Sequence, residues 1–385
     1  MPVHETRDLL DPEARSDSVL QVIRALMCRS GLRTELARRT GLSIASVSTA
    51  VQRLLDDGIA HGGKKEAVAL RPVTGVAVGI QVGARHVTVA ARLPHWPREQ
   101  VRLVSLGQGL RDGAAWIDAA ADAVAGLAGS IGRGPADLAT VGLAVPWPVD
   151  PRDLSPSPPS PWFAAPDLHR RLSARFGEVF GEVFGEVKVV VDADARLGAL
   201  NEQTYHHPYE TLLYVEIAEH VLGGLVVGPR MVRGALGRAG SVGHQVVEPG
   251  GLDCWCGKRG CLERYISVPA VLEGVYVSLR ARGEEPPASV GALIDRARDG
   301  DPDCRWALTA AAKRLARALR ESAATLETQA VVLGGPLAPG LRLVAAECEQ
   351  ELRRSAWTRH LELRFAQPDA AAHGALILGL IGHLR

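Results

Sequence analysis

The sequence predicts an α/β protein in which a small helical domain precedes a larger, duplicated α/β region. Residues 18–58 contain three short segments with apolar side chains at helical spacing, and residues 76–365 alternate strand and helix patterns in two successive rounds. The length of 385 residues suits two or three domains. A hydrophobic share of 46% with 23% charged residues is ordinary for a globular chain and excludes a disordered scaffold.

Charge and hydropathy narrow the function classes. The net charge of +1 argues against a chain that coats nucleic acid along its whole length, yet it permits one small basic module. Between Arg29 and Arg53 five arginines stand against one acid, Glu35. No apolar run is long enough to span a bilayer, and residues 1–18 are too polar for a signal peptide. We therefore expect a cytoplasmic protein without a membrane partner.

The N-terminal pattern predicts a winged helix-turn-helix over residues 18–71, preceded by a tail at 1–17. Helices are expected at residues 18–29, 34–40 and 43–58, and a β-hairpin at 59–70. A small Ala37 lets two helices cross closely, Gly41 takes the sharp turn, and the β-branched Val47 packs the third helix on the first two.

The third helix has short polar residues on one side, as a helix that enters the major groove of DNA requires. The residues expected to face the core of the three helices are Leu36, Leu42, Val47, Val51 and Leu54. The candidate DNA-contacting residues are Arg33, Thr34, Arg38, Arg39, Ser43, Ala45, Ser46, Ser48, Thr49, Arg53, Lys64 and Lys65. The alternative is a three-helix protein-interaction module with a solvated face.

The region after residue 72 predicts strand trios followed by helix and strand alternation, twice. Strands are expected at residues 76–82, 86–93, 101–106, 140–145, 188–192, 212–217, 222–227, 331–333 and 361–365. Helices are expected at residues 114–131, 168–175, 305–328 and 341–354, with a last helix from 370. The tandem FGEV repeat at 176–187 is interpreted as an insertion in an exposed element and is given no role.

A cysteine cluster is the strongest chemical signal. Its members are His244, Cys254, Cys256 and Cys261, which together form the Cys₃His set that structural Zn²⁺ prefers. Four protein ligands leave no position for a catalytic water, so a zinc loop at residues 244–263 would stabilise the fold. The alternative is three incidental thiols. The remaining cysteines, Cys28, Cys304 and Cys348, are interpreted as ordinary buried thiols.

These features together resemble the repressor branch of the ROK family (repressors, open reading frames, kinases). The family's metal marker, Glu-x-Gly-His followed by Cys-x-Cys-Gly-x-x-Gly-Cys-x-Glu, is matched from Ser241 to Glu263 except that Ser241 replaces the first Glu. The resemblance implies an actin-like, ribonuclease-H-like duplication over residues 72–385. It also implies an assembly of two or four identical subunits.

The resemblance also assigns candidate ligand-binding residues. Asp192 matches the catalytic Asp of sugar-phosphorylating members, and His244, Glu263 and the position of Ser241 match sugar contacts. Trp147 replaces the glycine of the family's Pro-Gly pair, where its indole would fill space left for a ligand. The Asn that precedes Asp192 in the family is Val191 here, and a second sugar-contacting Asn is missing near residues 157–162.

The phosphate motifs have changed more. Asp-x-Gly-x-Thr reads as residues 81–85, with Gln81 and Arg85 at the two polar positions, and the glycine-rich second motif reads as residues 218–224, with Glu219 inside it. Phosphate cradles need glycine so that backbone N–H groups can converge on the anion, and a carboxylate there repels it. We therefore expect no ATP binding and no enzymatic activity, with Asp192 as a relic of the kinase site.

The expected function is a DNA-binding transcriptional regulator, a repressor, whose partners are a double-stranded operator and a sugar or sugar-derived effector. The alternative is a ROK sugar kinase with an appended DNA-binding arm. Two versions of the regulator remain open: one keeps a polyol contact at Asp192, and the other answers a different ligand or none. The operator, the direction of regulation and the number of subunits are not specified by the sequence.

Overall fold

The computed structural model describes residues 17–71, 75–84, 86–92, 100–105, 115–130, 138–154, 157, 174, 188–206 and 209–383. Residues 1–16 of the expected tail, the FGEV repeat and Arg85 lie outside the described residues, as do residues 158–162 and, apart from residue 174, the helix expected at 168–175.

The chain forms two compact units. The first comprises Met1–Pro208, Val227–Gly237 and Ala371–Arg385, and the second comprises Tyr209–Val226 and Arg238–Ala370. Three chain segments therefore build the first unit.

Three helices and a small sheet open the first unit. The helices are α1 (Asp17–Cys28), α2 (Arg33–Thr40) and α3 (Ile44–Asp56). The strands β1 (Ala60–His61) and β2 (Ala69–Leu70) pair antiparallel.

Local sequence explains where these helices stop and how they pack. Gly41 ends α2 in the left-handed region with φ 72°, a conformation that glycine adopts without the steric cost of a Cβ atom. The side chains of Leu36, Val47 and Leu54 are fully buried, while Leu42 is only half-buried.

A five-stranded sheet forms the centre of the first unit. Its strands are β3 (Val76–Val82), β4 (His86–Arg92), β5 (Gln100–Ser105), β6 (Leu138–Val145) and β7 (Lys188–Ala193). The order is β5-β4-β3-β6-β7, in which β5, β4 and β3 are antiparallel and β3, β6 and β7 are parallel. The central strand β3 is buried along its whole length.

Helices cover this sheet. They are α4 (Ala115–Ser130), α5 (Asp194–Asn201) and α12 (Ala370–His383), and a π-helical turn (Glu202–His206) continues α5. Gly142 of β6 lets α12 approach closely, because a Cβ atom at that position would lie 1.8 Å from the Ala375 carbonyl oxygen.

The second unit repeats the parallel core of the first. The second set of strands along the chain is β8 (Thr211–Ile217), β9 (Val221–Val227), β10 (Arg230–Val232), β11 (Ala330–Gly334) and β12 (Glu362–Phe365). Of these, β10 belongs to the first unit. Those of the second unit run β9-β8-β11-β12, with β8, β11 and β12 parallel. The same arrangement of three parallel strands as β3-β6-β7 confirms the expected duplication.

The helices of the second unit are α6 (Glu263–Ile266), α7 (Val268–Ala281), α8 (Val290–Arg298), α9 (Pro302–Leu326), α10 (Ala338–Leu343) and α11 (Ala345–Arg353). The single helix expected at 341–354 is wrong, because Val344 leaves helical geometry (φ −123°, ψ 29°) and separates α10 from α11. Within the described part of the chain, no helix combines the length and apolar character that crossing a bilayer requires.

The contact at Gly142 gives a stability prediction. We expect Gly142→Ala to lower the free energy of unfolding by about 1–3 kcal/mol, because the added methyl group meets backbone atoms of α12. Gly129→Ala is the matched control, since Gly129 lies in α4 and a Cβ atom there meets nothing within 4 Å. That change should raise stability by about 0.5–1 kcal/mol. Urea unfolding of both variants measures the difference, and equal effects would contradict the packing argument.

Candidate functional site

The polar side of α3 is open to solvent. Ser43 is the N-cap of the helix, and its Oγ accepts a hydrogen bond from the Ser46 N–H over 3.0 Å. Of the candidate residues on this segment, Ser43, Ala45, Thr49 and Arg53 are exposed, and Ser46 and Ser48 are half-buried. The candidate residues on this side therefore have mostly short side chains, and no acidic side chain occurs before Asp56.

The candidate residues of α2 divide into two groups. Thr34 and Arg38 are exposed. Arg33 instead donates to the Gly63 carbonyl over 2.6 Å, and Arg39 donates through Nη1 to the carbonyls of Ala25 and Arg29 over 3.0 and 2.7 Å. Arg39 therefore satisfies carbonyls at the C-terminal end of α1, where a cation also suits the helix dipole.

The turn between β1 and β2 carries the two candidate lysines. Lys64 and Lys65 are both exposed. The hairpin is held to the helices by two backbone hydrogen bonds between Gly31 and Val68, of 3.0 and 2.9 Å. The two ammonium groups thus project from an anchored turn.

Sequence reasoning missed two exposed apolar residues beside this surface. Ile44, the first residue of α3, is 57% exposed, and Leu32, the N-cap of α2, is 41% exposed. Helical phase gave no signal for Ile44, since it precedes Val47 and Val51 by three and seven residues and so shares their helical face; its exposure goes with its place as the first residue of α3. An apolar side chain at such a position can contact the thymine methyl group in a major groove.

The four expected metal ligands come together in the second unit. The ligand atoms of His244, Cys254, Cys256 and Cys261 all lie within 4.8 Å of one another. Cys254 Sγ is 3.6 Å from His244 Nδ1, and the Sγ atoms of Cys256 and Cys261 are also 3.6 Å apart. This cluster could hold a metal ion.

Glycines bring the three cysteines to one point. Gly257 (φ 88°) and Gly260 (φ 77°) adopt the left-handed region. Gly260 also packs on the chain, because a Cβ atom there would lie 1.7 Å from the Glu248 carbonyl oxygen. The turn is closed by hydrogen bonds from Cys254 N–H to the Lys258 carbonyl over 2.9 Å and from Gly257 N–H to the Cys254 carbonyl over 3.0 Å.

Glu263 ties this loop to the start of β9. Its Oε1 accepts from the Trp255 indole over 2.8 Å, and its Oε2 accepts from the Val221 N–H over 3.0 Å and lies 3.4 Å from His220 Nδ1. Glu263 is 5% exposed, so both carboxylate oxygens are used inside the protein. Ser241 donates its hydroxyl to the Arg238 carbonyl over 2.7 Å.

In the first unit, Asp192 lies at the end of β7 and is 1% exposed. Arg196 of α5 donates to Oδ1, and Arg233 donates to Oδ2 through Nη2 over 2.8 Å and through Nε over 3.1 Å. Burial alone would raise the pKa of Asp192, but the two guanidinium groups and the Ala193 N–H outweigh it and hold the pKa below its ordinary value. A carboxylate in this state is a poor general base.

Trp147, the other ligand candidate of this unit, is 5% exposed and belongs to the hydrophobic core around β3 and β6. Its indole therefore packs inside the first unit.

The segment that matches the second phosphate motif has a different role here. Residues 218–220 form the turn between β8 and β9, and Glu219 is exposed on it. Gly223 packs against the backbone, because a Cβ atom there would lie 1.7 Å from the Gly240 carbonyl oxygen. Gly223, which matches a glycine of the motif, therefore serves close packing.

A buried carboxyl group, which sequence reasoning missed, lies at the end of β8. Glu216 is 4% exposed and accepts a hydrogen bond from the Tyr214 hydroxyl over 3.0 Å. Burial is the largest cause that raises the pKa of Glu216 to about 7, and the charge of Glu219 adds to it. The available signal was a single acid between apolar residues near the end of a strand with the sequence TLLYVEI.

The expectation of buried thiols is wrong for one cysteine. Cys28 is exposed, whereas Cys304 and Cys348 are buried. The Cys28 thiol is the last side chain of α1 and donates to the Thr204 carbonyl over 3.1 Å.

Comparison with known proteins now adds to this geometry. The ROK family model matches residues 77–380. Among curated proteins, the N-acetylmannosamine kinase of Escherichia coli strain SE11 is 32% identical over 191 residues, which cover 48% of this chain and 62% of that kinase. The chain thus spans about six-tenths of the length of the curated relatives it matches.

Two solved structures resemble the fold. A ROK family transcriptional regulator, described as a homologue of the E. coli MLC protein, has a TM-score of 0.70 and 17% identity, with 100% of this chain and 98% of that chain covered. A ROK glucokinase from Streptomyces griseus, bound to glucose and AMPPNP, has a TM-score of 0.66 and 24% identity, with 79% and 99% covered. At these identities the likeness shows the fold: a duplicated α/β domain of the actin-like sugar-kinase type.

The Cys₃His cluster gives a metal prediction. We expect the purified protein to retain a metal ion through gel filtration and Cys256→Ser to lose it, because one of four ligands is removed. Elemental analysis measures the content. A chelator should lower the melting temperature of the parent protein and leave that of Cys256→Ser unchanged. Cys28→Ser, outside the cluster, is the control; equal metal content in all three proteins would contradict the prediction.

Glu216 gives a pH prediction. Its pKa in the folded chain, about 7, lies above the ordinary value of 4.5, so its contribution is fully present below pH 4.5 and is lost as pH rises through 7. Glu216→Gln should therefore raise the melting temperature relative to the parent at pH 8, with at most about 3 kcal/mol of stabilisation, and give little change at pH 5. The exposed Glu321→Gln is the control. A pH-independent difference would contradict this assignment.

Proposed function

The chain belongs to the ROK family, and from that premise we propose that it is a DNA-binding transcriptional repressor. Residues 18–71 are the winged helix-turn-helix domain, and residues 72–385 are the ROK domain. The observation that carries the proposal is the exposed face of α3, which presents Ser43, Ala45, Thr49 and Arg53 and has no acid before Asp56, in a domain that also exposes the cations Arg38, Lys64 and Lys65.

The three N-terminal helices support the helix-turn-helix assignment. Ala37 is 9% exposed and Val47 is fully buried, so α2 and α3 cross where the sequence has small and β-branched residues. Gly41 turns the chain between them. The hairpin of β1 and β2 follows α3 directly and has the position of a wing.

The candidate contacts have different roles in this proposal. Thr34, Arg38, Arg53, Lys64 and Lys65 face solvent and are assigned to phosphates, where they add affinity at every sequence.

Sequence is read by α3. Ala45, Ser46, Ser48 and Thr49 are the residues assigned to base edges. Ser43 contributes as the N-cap. Arg33 and Arg39 act by positioning the hairpin and α1, since their guanidinium groups already donate to backbone carbonyls.

The alternative function, a sugar kinase, is supported by the identity to N-acetylmannosamine kinases. Two observations disfavour it. Asp192, the residue that matches the family's base, is neutralised on both oxygens by Arg196 and Arg233. Glu219 puts a negative charge on the turn that matches the phosphate motif, where it repels an anion.

We assign Zn²⁺ to His244, Cys254, Cys256 and Cys261. A tetrahedral Cys₃His set saturates Zn²⁺ and leaves no open coordination position, so the ion would stabilise the loop and supply no catalysis. The tight turn at Gly257 and the hydrogen bonds of Glu263 hold the loop in the matching shape.

The effector assigned to the ROK domain is a sugar or a sugar-derived molecule. Its candidate contacts are Asp192, His244, Glu263, Ser241 and Trp147. Since Asp192 and Glu263 are engaged within the protein, a polyol binds by displacing an internal donor. The second version of the proposal has no carbohydrate ligand. A thermal-shift screen with sugars distinguishes the two versions. The protein acts as a homodimer or homotetramer, so that two α3 helices reach successive major grooves roughly 34–36 Å apart.

DNA affinity tests the proposal. We expect salt-dependent binding to a palindrome from the region upstream of its own gene, measured by fluorescence anisotropy. Arg38→Ala should weaken binding to all sequences and lower the salt slope by about one, while Thr49→Val should cost about 1–3 kcal/mol on the operator only.

Arg298→Ala is the matched control, because Arg298 is 56% exposed and pairs with Asp295 in the second unit. Binding that ignores salt, or equal effects of Arg38→Ala and Arg298→Ala, would overturn the proposal. The same preparation tests the alternative: ATP consumption with glucose or N-acetylmannosamine, followed by ADP release, is expected to be absent, and turnover would favour the kinase.

A further inference from the structure

The two segments that hold Asp192 are also the two segments that hold the ends of α1. Arg196, on one side of the carboxylate, lies in α5, which starts directly after β7. Arg233, on the other side, follows β10 (Arg230–Val232). Each segment leads within ten residues to a contact with α1.

The first segment reaches the C-terminal end of α1. All eight residues of α5 are buried, and the helix continues into the π-helical turn at Glu202–His206. In this turn the Thr204 carbonyl accepts from Cys28, and the Tyr205 hydroxyl accepts from Arg92 Nη1 over 2.9 Å. Arg92 also donates through Nη2 to the Met27 carbonyl over 3.1 Å.

The second segment reaches the N-terminal end of α1. Arg230, three residues before Arg233, donates through Nε to Asp17 Oδ1 over 2.6 Å. The segments are also joined to each other, because Gln203 Nε2 donates to the Gly228 carbonyl over 3.1 Å. A displacement at Asp192 therefore has a path of direct contacts to each end of the helix.

The helix α1 packs with the candidate recognition helix, α3. Val22 and Leu26 of α1 lie in one hydrophobic cluster with Val47 and Val51 of α3 and with Leu200 of α5. Because α1 and α3 also pack directly on each other in this close-packed interior, a shift of α1 displaces α3.

The region where α1 meets the π-helical turn also contains buried polar atoms without hydrogen-bond partners in the described part of the chain. The buried atoms Gln21 Oε1 and Arg24 Nε on α1 and Thr204 Oγ1 on the π-helical turn have no hydrogen-bond partner among the described residues. Buried polar groups without partners raise the energy of the arrangement that holds them.

We propose that Asp192, Arg196 and Arg233 form a coupling centre that sets the position of α1. A polyol ligand whose hydroxyl groups replace Arg233 on Asp192 Oδ2 frees the Arg230–Arg233 segment and shifts α1 and the helices packed on it. This inference rests on the proposed function for its biological meaning, but the mechanical link itself is independent of DNA.

Hydrogen exchange followed by mass spectrometry on the full chain tests the link. Arg233→Gln should accelerate exchange in peptides covering Asp17–Cys28 by about tenfold and leave β3 and β11 unchanged, because one holding segment is released. Arg298→Gln is the matched control, an arginine exposed in the second unit. The double variant with Asp17→Asn should exchange no faster than the faster single variant, since both changes break the same path.

Asp17→Asn is the reciprocal test, and it leaves the buried charges intact because Asp17 is 55% exposed. Coupling requires it to accelerate exchange in α5, far along the chain from the change. Unchanged exchange in α5 and in α1 for the respective single variants, or multiplied effects in the double variant, would overturn the coupling. Loss of coupling with intact DNA binding would spare the proposed function, and intact coupling without DNA binding would refute that function alone.

Discussion

The buried carboxylate of Asp192 between Arg196 and Arg233 is the interaction on which the first unit most depends. Removing charges from water is costly, so a buried carboxylate persists only where donors satisfy both oxygens. Arg196 also donates to the carbonyls of Gly237 and Val149, so one guanidinium joins β7 to two loops. Loss of a single partner from such a pair costs roughly 3–5 kcal/mol. The residue that matches the family's kinase base is thus held on both oxygens by internal ion pairs.

In the second unit, too, residues of the family motifs serve packing and hydrogen bonding. Gly223 allows the backbone to meet Gly240, and Gly260 allows it to meet Glu248. Both carboxylate oxygens of Glu263 contact Trp255, Val221 or His220 inside the protein. Retention of a family residue is therefore weak evidence for retained activity, because each of these residues has a packing or hydrogen-bonding reason to remain.

Local patterns predicted the fold well, whereas long-range pairs were out of reach. Strand β3 was predicted at its observed ends, and the expected metal ligands, His244 to Cys261, are close in sequence. Helix α5 was missed because all its residues are buried, which removes the periodic polar face that marks a helix. Arg233 and Asp192 are distant in sequence, and Arg39 is engaged with α1 by tertiary packing, so no local pattern identifies either role.

The packing of α1 limits how the proposed regulator can respond to a ligand. A DNA-binding domain on a flexible linker would be insensitive to small shifts in its partner domain, because the linker absorbs them. Here α1 shares a hydrophobic cluster with Leu197 and Leu200 of α5 and with Leu378 of α12. Close-packed elements transmit displacement instead of absorbing it. An effect of any ligand on α3 must then pass through this shared core, and its size is bounded by the ligand's difference in affinity for the two arrangements.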